Sequence, residues 1–231
     1  MHCASLGEFE QGRPIIETIK KEFPQFKIFL TFFSPSGFEV RKNYPQADFI
    51  YYLPWDNASN ARKLVTTVNP VLAIFVKYEF WHHYTRELNR KKTPLISISS
   101  IFRKDQLFFQ WYGSFYKRIL KGFTHFFVQN HESVKLLQSA GIKNSSQAGD
   151  TRFDRVSNIL KNHEPIPIAK VFKNNQKVFV VGSCWQEDLD VLIPFINENR
   201  LKFIIAPHEI SEAVISDFEK ALQVKSIRYS A

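Results

Sequence analysis

Short, continuous apolar runs alternate along the chain with segments whose apolar residues recur every three or four positions. Apolar runs of about 4–8 residues are typical of buried strands, and the wider spacing is typical of helices. The predicted strands are 27–33, 49–53, 71–76, 95–98, 124–128, 177–182, 201–206 and the strand-like 224–227. The predicted helices are 8–23, one that begins at Ser34-Pro35, 56–68, 81–90, the amphipathic segment 105–121, 131–140, 187–197 and 210–222.

This alternation of strands and helices predicts an α/β fold with a parallel sheet that helices cover on both faces. The run 71–76 is wholly apolar, as expected for a strand buried on both sides. The periodicity breaks between residues 158 and 176. We therefore predict a first domain over 1–157, a linker over 158–176 and an incomplete second domain over 177–231, with about two strand–helix units.

Composition excludes a disordered chain, because 44% of the 231 residues are hydrophobic and such a chain can bury a sizeable core. The formal net charge of +9 indicates anionic partners, and phosphates, nucleic acid and acidic membrane surfaces all fit. Cys3 and Cys184 lie far apart without metal-ligand spacing, so we expect free thiols, no disulfide and no structural zinc. No apolar run reaches the roughly 20 residues that cross a bilayer, so we expect a soluble or peripheral protein.

The stretch from His2 to Phe9 is where we place the chemistry. Glu8 follows a small, glycine-containing loop and begins a helical pattern. It should therefore lie at a helix N-terminus, where unpaired N–H groups and the helix dipole stabilise an ionised carboxylate. Gly7 would let a ligand approach the main chain closely. The alternative, that Glu8 only caps the helix, stays open at this point.

Polar residues also follow most of the other predicted strands. Ligands of open parallel sheets bind beyond the carboxyl ends of the strands, which makes these residues binding candidates. They are Ser34, Ser36 and Gly37; Glu79; Ser99, Ser100 and Arg103; Gln129 and Asn130; Gly182 and Ser183; and Pro207, His208 and Glu209. Each alone is well explained as a helix start, but two carboxylates at one edge, Glu8 and Glu79, favour a functional site.

The segment 102–121 is dense in aromatic and basic side chains. This mixture suits a membrane interface, a lipid phosphate or stacked bases, and a core helix with a solvated cationic face is the alternative. Its broad apolar side favours contact with lipid. The adjacent His82 and His83 point in different directions on a helix, so we expect no metal site there.

The opening run His2-Cys3-Ala4-Ser5-Leu6-Gly7-Glu8 resembles the signature His-Ala-x-Ser-Val-Gly-Glu of a known family. Further segments match the motifs of the same family in register, and they are 31–37, 52–56, 79–81, 149–154, 182–183 and 206–209. Together they resemble the 3-deoxy-D-manno-octulosonic acid (Kdo) transferases of lipopolysaccharide biosynthesis. The resemblance covers nearly the whole chain, and the combination is far more specific than any single motif.

This resemblance implies a GT-B-like architecture, with a Rossmann-like N-terminal domain that binds the acceptor and the beginning of a second Rossmann-like domain that binds the nucleotide sugar. It implies that Kdo passes with inversion from CMP-Kdo to the lipid A precursor, lipid IVA, with Glu8 as the general base and no metal or other cofactor. The acceptor-binding candidates are Ser5, Gly7, Ser34, Ser36, Gly37, Glu79 and Arg103. The donor-binding candidates are Arg152, Gly182, Ser183, Pro207, His208 and Glu209.

The resemblance further implies a place at the cytoplasmic face of the bacterial inner membrane, where the anionic membrane surface is a partner and nucleic acid is not. Ser99-Ser100-Ile101 stands where the family has Asn-x-Arg, so that arginine's role is not transferred to Arg103. The family's N-terminal membrane anchor and its C-terminal donor motif are not found. We therefore expect a piece of a longer enzyme that does not transfer Kdo alone.

Two other functions stay open. One is a basic nucleic-acid-binding module, which the net charge and the segment 102–121 suggest, although no RNP, zinc-finger or helix-turn-helix signature supports it. The other is a different sugar-nucleotide enzyme of the same architecture, such as an epimerase, because a fold alone does not determine the substrate.

Overall fold

The computed structural model describes residues 1–161 and 165–229. The strands are β1 (Phe29–Phe32), β2 (Phe49–Tyr52), β3 (Ala73–Val76), β4 (Leu95–Ser100), β5 (His125–Val128), β6 (Ser145–Gln147), β7 (Val178–Cys184) and β8 (Lys202–Pro207). The helices are α1 (Leu6–Glu22), α2 (Pro35–Arg41), α3 (Ala58–Val68), α4 (His82–Arg90), α5 (Ser114–Leu120), α6 (His131–Ser139), α7 (Thr151–Lys161), α8 (Pro167–Lys173), α9 (Gln186–Glu198) and α10 (Glu212–Ala221). The chain divides into two compact units, Met1–Asn162 and His163–Ala231.

In the first unit, the N-terminal residues lie in the middle of a parallel sheet. His2 pairs with Thr31 of β1 on one side and with Phe75 of β3 on the other, and the Cys3 N–H donates to the Thr31 carbonyl at 3.0 Å. The order across the sheet is therefore β2, β1, residues 1–3, β3, β4, β5, β6. Because the ladders are parallel, the loops that follow these strands share one edge of the sheet.

Two buried clusters cover the two faces of this sheet. Ala73 and Phe75 of β3 belong to one cluster, and Ile74 and Val76 belong to the other, because alternate residues of a strand face opposite ways. Helices α3, α4 and α6 close the first cluster, while α1 closes the second. Each fully buried large apolar side chain contributes roughly 1.5–3 kcal/mol. The predicted two-sided burial is confirmed for β3 itself, whereas the preceding two residues, 71–72, are exposed and lie outside the strand.

The second unit contains β7 and β8, which pair in parallel, together with α8, α9 and α10. Among its described residues, the buried apolar side chains are Cys184, Leu189 and Ile196. Phe179 and Val180 are adjacent in β7 and both are exposed, so neither face of this strand is fully covered.

The segment 105–121 differs from the long amphipathic helix that the pattern predicts. It consists of a 3₁₀ turn at Leu107–Phe109 and the short helix α5. Gly113 lies between them, and a Cβ atom at this position would collide with the Leu107 carbonyl oxygen. The chain therefore turns too tightly at Gly113 for one helix to continue.

The remaining differences concern polar or interrupted segments. β6 is a short polar strand at the edge of the sheet, and it lacks the apolar run on which strand prediction depends. α7 extends to Lys161 and α8 occupies Pro167–Lys173, so much of the predicted linker 158–176 is helical, while residues 162–164 of that linker lie outside the described residues. The strand-like run 224–227 forms no strand. None of the described helices has the length and apolar character that crossing a membrane requires.

Candidate functional site

Loops after the central strands of the first unit bring several candidate residues to one edge of the sheet. Residues 5–8 follow the N-terminal segment, 33–37 follow β1, 77–81 follow β3 and 101–103 follow β4. Helices α1 and α2 begin in the first two of these loops. Two helix N-termini and two carboxylates therefore lie at the edge where parallel α/β sheets bind their ligands.

Glu8 is the third residue of α1 and is held by Ser5, the residue before the helix. The Ser5 N–H donates to Glu8 Oε2 at 3.1 Å, and the Ser5 hydroxyl donates to the same oxygen. Lys77 Nζ lies 3.5 Å from the other oxygen, Oε1, and the Glu8 side chain is 17% exposed. Glu8 does cap the helix, as the alternative interpretation holds, and it also remains accessible at the surface of the site.

The ionisation of Glu8 reflects opposing effects. Burial by itself raises the pKa of Glu8, but the hydrogen bond from Ser5 and the positive charge of Lys77 outweigh burial, and the pKa lies below its usual value. Glu8 is therefore ionised at neutral pH and ready to accept a proton. The same lowered pKa makes it a weaker base than an unpaired glutamate, so Lys77 has a direct influence on its chemistry.

Lys77 is a site residue that the hydrophobic pattern does not indicate. Its backbone is left-handed, with φ of 62°, and its carbonyl accepts hydrogen bonds from the hydroxyls of Ser100 at 2.6 Å and Ser97 at 3.4 Å. Both serines are fully buried, and their hydroxyls lie 2.5 Å apart. This buried pair holds the backbone from which the lysine side chain reaches Glu8.

Glu79 is a fixed carboxylate at the same edge. Its Oε2 accepts a hydrogen bond from Trp81 Nε1 at 2.7 Å and lies 3.4 Å from His2 Nε2. His2 is itself buried, and its Nδ1 pairs with the Thr31 hydroxyl at 2.9 Å. The structure thus holds Glu79 between two ring nitrogens while its side chain stays 16% exposed.

The Cys3 thiol is fully buried. Burial raises the pKa of Cys3 well above its ordinary value, and the negative charges of Glu8 and Glu79 raise it further. The thiol is therefore protonated and unreactive at neutral pH.

The loop after β1 supplies the predicted Ser34, Ser36 and Gly37. Ser34 caps α2 by accepting a hydrogen bond from the Ser36 N–H at 3.3 Å, and the two hydroxyls lie 2.9 Å apart. Gly37 is buried, and a Cβ atom there would collide with the Phe32 ring and lie 3.0 Å from the Ser5 carbonyl carbon. Glycine at position 37 therefore lets α2 approach the loop that precedes α1.

Gly7 and Arg103 are less constrained. The nearest atom to a Cβ at Gly7 would be the Ser5 hydroxyl oxygen, at 3.7 Å, so packing does not require glycine there. Arg103 is exposed, and its N–H donates to Gln106 Oε1 at 3.1 Å. For Asn130 the explanation as a helix start holds, because its side chain caps α6.

Arg152 lies in the first unit, near the start of α7. Its Nε donates to Asp150 Oδ2 at 2.8 Å, and Asp150 also accepts a hydrogen bond from Gln11 Nε2 at 2.9 Å. Burial alone would raise the pKa of Asp150, but these hydrogen bonds lower it below its usual value. The charge of Arg152 is thus paired with an ionised aspartate, and the other predicted donor residues belong to the second unit.

In the second unit, the structure brings Ser183 and His208 together at the ends of β7 and β8. Ser183 Oγ lies 3.0 Å from His208 Nδ1, and the His208 ring stacks on Trp185 with a centroid distance of 3.9 Å. Trp185 is exposed and was not among the predicted residues, although it follows the candidate Gly-Ser pair by only two positions. The other predicted residues at these strand ends are Gly182, Pro207 and Glu209.

Across the described ranges, 1–161 and 165–229, no three His, Cys, Asp or Glu side chains lie close enough together to hold a metal ion.

The fold is of the GT-B-like α/β class. The chain is similar to the UDP-GlcNAc 2-epimerase from Neisseria meningitidis bound to UDP-GlcNAc, with a TM-score of 0.60 and 13% identity over 99% of this chain and 72% of that chain. It is also similar to the UDP-N-acetylglucosamine 2-epimerase from Rickettsia bellii, with a TM-score of 0.59 and 13% identity over 95% of this chain and 65% of that chain. At such low identity the likeness shows the fold alone, and it confirms the predicted class.

The chain belongs to the 3-deoxy-D-manno-octulosonic-acid transferase (kdotransferase) family, whose model matches residues 1–155. A 3-deoxy-D-manno-octulosonic acid transferase of Rickettsia felis is 27% identical over 207 residues, which are 88% of this chain and 44% of that protein. The transferase of Aquifex aeolicus is 27% identical over 229 residues, which are 95% of this chain and 56% of that protein. The family prediction is confirmed, and the chain spans about half the length of the curated relatives that it matches.

Proposed function

We propose that this chain supplies the acceptor side and part of the donor side of an inverting glycosyltransferase of lipopolysaccharide inner-core biosynthesis. The enzyme transfers Kdo from CMP-Kdo to the lipid A precursor lipid IVA. The observation that carries this proposal is Glu8, an ionised and partly exposed carboxylate at the ligand-binding edge of the sheet, within the residues that match the family.

In the proposed step, a hydroxyl of the acceptor glucosamine donates a hydrogen bond to Glu8 while its oxygen attacks the anomeric carbon of Kdo. The new C–O bond forms on the face opposite CMP, the proton passes to Glu8, and the old C–O bond breaks with its electron pair remaining on the CMP phosphate. Ser5 holds Oε2 of Glu8, so Oε1 beside Lys77 is the oxygen that receives the proton. A positioned general base typically contributes about 10²- to 10⁴-fold in rate.

The acceptor side of the proposed site is built from fixed polar groups. Glu79 has one oxygen held by Trp81 and His2, which leaves Oε1 for a sugar hydroxyl. The hydroxyls of Ser34 and Ser36 lie at the start of α2, where they can bind a further polar group of the acceptor. Glu8 and Glu79 thereby act on different parts of one acceptor.

In the second unit, the pair Ser183 and His208 is assigned to the donor, and in the first unit Arg152 is a separate donor-binding candidate. A cation and hydrogen-bond donors stabilise the charge that develops on departing CMP. The Trp185 ring beside His208 is suited to stack on the cytosine base. We further propose that these groups suffice without a metal ion, so that transfer persists in the presence of EDTA.

The proposed reaction joins a soluble nucleotide sugar to a lipid, so it takes place at the cytoplasmic face of the inner membrane. The net charge of +9 supports this location, because basic proteins are attracted to anionic lipid surfaces.

The test of the catalytic role uses Glu8→Gln. The test uses a hybrid protein, in which residues 1–155 of this chain replace the matching segment of the Rickettsia felis transferase. Kdo transfer from CMP-Kdo to lipid IVA by the hybrid is followed by mass spectrometry. We expect Glu8→Gln to lower kcat about 10²- to 10⁴-fold and to leave acceptor binding within about threefold, because the amide keeps its size but cannot accept the proton. The 231-residue chain alone is expected to transfer no Kdo.

The matched control is Glu22→Gln, the same chemical change at the far end of α1, where the side chain is exposed. It should leave kcat unchanged in the hybrid. A hybrid that keeps its full turnover with Glu8→Gln, or loses it equally with Glu22→Gln, contradicts the general-base role.

A further inference from the structure

An exposed aromatic surface lies on the segment between β4 and β5 of the first unit. Five large apolar side chains within ten residues are exposed, and they are Leu107, Trp111, Tyr112, Phe115 and Tyr116, which we name the aromatic surface. Trp111 is 93% exposed. Isolated exposed apolar residues are ordinary, whereas a contiguous group of this size marks an interaction site.

Residues next to the aromatic surface in the sequence pack into the core of the first unit. The ring of Phe108 packs on Phe80 at a centroid distance of 5.1 Å, and Phe109 packs on Phe102 at 5.8 Å. Ile119 and Leu120 at the end of α5 are buried in the core. Because neighbouring residues in the same segment are held inside, its exposed rings are presented on a fixed backbone.

A cationic groove lies beside the aromatic surface, between α4 and α5. Its volume is about 510 Å³. Its lining includes His82, Arg86, Arg118 and Lys121, and it shares Phe115 with the aromatic surface. The Arg86 guanidinium lies 3.8 Å from a carboxylate oxygen of the buried Glu87, which partly neutralises its charge. Arg118 and Lys121 therefore provide most of the positive charge of the groove. In agreement with a positive environment, the pKa of His82 is lowered, first by burial and then by the charges of His83, Arg86 and Arg118, against the opposing effect of Asp56.

We propose that the aromatic surface and the cationic groove together dock this unit on an anionic bilayer, with the phosphate of an acidic phospholipid in the groove. This inference deepens the proposed function by naming the face that meets the membrane. Trp and Tyr side chains favour the level of the lipid headgroups, and clustered Arg and Lys side chains next to them bind anionic headgroups. The charge complementarity and the shared residue, Phe115, make the two features one docking surface.

The ring geometry favours lipid over single-stranded nucleic acid. Trp111 and Tyr112 meet edge-on at an interplanar angle of 88°, and Phe115 and Tyr116 meet at 82°. Successive bases require rings that offer parallel stacking platforms, whereas a membrane interface accepts rings in any orientation.

The experiment measures binding of the whole 231-residue chain to vesicles by flotation. Vesicles of phosphatidylcholine alone are compared with vesicles that contain phosphatidylglycerol. We expect at least tenfold tighter binding to the anionic vesicles, and at least a tenfold loss for Trp111→Ser, for Phe115→Ser and for the double variant Arg118→Gln, Lys121→Gln. Far-UV circular dichroism confirms that each variant is folded.

Matched controls separate the docking surface from general charge and hydrophobicity. Phe26 is as exposed as Phe115, so Phe26→Ser should leave vesicle binding within twofold. The double variant Lys135→Gln, Lys143→Gln removes the same charge from exposed positions elsewhere in the unit and should also have little effect.

Equal losses in the controls, equal binding to neutral and anionic vesicles, or tighter binding to single-stranded RNA than to vesicles would overturn the proposal. The vesicles contain neither Kdo nor lipid A precursor, so their binding does not depend on Glu8. Failure of the catalytic proposal and failure of the docking proposal are therefore distinguishable.

Discussion

The two units of this chain follow the same strand–helix pattern but bury it to different extents. β3 in the first unit is buried at every position, whereas β7 in the second unit has exposed residues on both faces. A continuous apolar run predicts two-sided burial in both strands. The difference shows that the apolar run makes a strand suitable for burial, and that covering helices and neighbouring strands then decide whether it is buried.

The candidate sites of the two units differ in the same way. In the first unit, His2, Ser97 and Ser100 are buried polar residues that hold Glu79 and Lys77. In the second unit, Ser183 and His208 hold each other near the surface. Buried polar contacts restrict side chains more than exposed contacts do, so the candidate site of the first unit is the better organised of the two among the described residues.

Replacing one core residue in each unit should give the largest contrast. Phe126 is fully buried and packs against Phe123 at a centroid distance of 4.9 Å, so Phe126→Ala should cost the first unit about 3–5 kcal/mol. Leu189→Ala in the second unit should cost less, about 2 kcal/mol, because its less covered neighbours can collapse into the space. Native-state hydrogen exchange of the β5 and β7 amides measures both values. Equal costs would show that the two cores are equally well packed.

Alanine substitutions at two glycines compare how tightly the two candidate sites are packed. Gly37→Ala should destabilise the first unit by about 1–3 kcal/mol, because the new Cβ meets the Phe32 ring and the Ser5 backbone. Gly182→Ala in the second unit should change stability by less than about 0.5 kcal/mol, since no described atom lies within 4 Å of that Cβ. Urea unfolding of each variant, followed by far-UV circular dichroism, gives both differences. A neutral Gly37→Ala would mean that α2 does not position the Ser5 loop.

The last comparison concerns how the ionisation of a carboxylate contributes to the stability of each unit. The pKa of Glu8 is lowered because Ser5 and Lys77 outweigh burial, so ionised Glu8 stabilises the fold above its unfolded pKa, and this stabilisation is lost as the pH falls through the lower folded value. Lys77→Met should raise the pKa of Glu8 and reduce this stabilisation by about 1 kcal/mol or less. Carbon-13 NMR titration of the Glu8 carboxyl measures the shift.

The contrasting carboxylate in the second unit is Glu212, which is exposed and whose pKa is lowered chiefly by its hydrogen bond to Arg228. Salt screens exposed pairs far more than partly buried ones. Adding 1 M salt should therefore move the Glu212 pKa towards its ordinary value more than it moves the Glu8 pKa. Equal movement of the two would show that Glu8 is fully solvated.

The hydrophobic pattern predicted the central strands and the helices that cover them, because burial and periodicity decide those elements locally. It could not predict β6, whose Ser-Ser-Gln sequence is polar and whose strand exists only because β5 offers an edge. It also placed one helix over 105–121, where the extended backbone at Gln110 ends the 3₁₀ turn and the chain then folds back so closely that a Cβ atom at Gly113 would meet the Leu107 carbonyl. Such contacts join residues whose proximity only the folded chain creates.

The candidate site divides in the same way. Glu8 was proposed because it begins a helical pattern after a small glycine-containing loop, and Glu79 because it follows a predicted strand, and each matches a family motif. Lys77 and Trp185 could not be predicted, because each is placed by a partner distant in sequence. Lys77 lies beside Glu8, and Trp185 stacks on His208. Arg152 was predicted as a donor-binding residue, but its pairing with Asp150 became visible only in three dimensions.

Ser99 and Ser183 have left-handed backbones, each at a register shift near the end of a strand, β4 in one unit and β7 in the other. A serine in this conformation costs of order 1 kcal/mol that a glycine avoids. Substituting glycine at either place would relax the backbone but remove a hydroxyl that reaches Thr151 or His208. Because one hydrogen bond contributes about as much stability as this strain costs, selection for heat resistance alone would not decide between serine and glycine at these two positions.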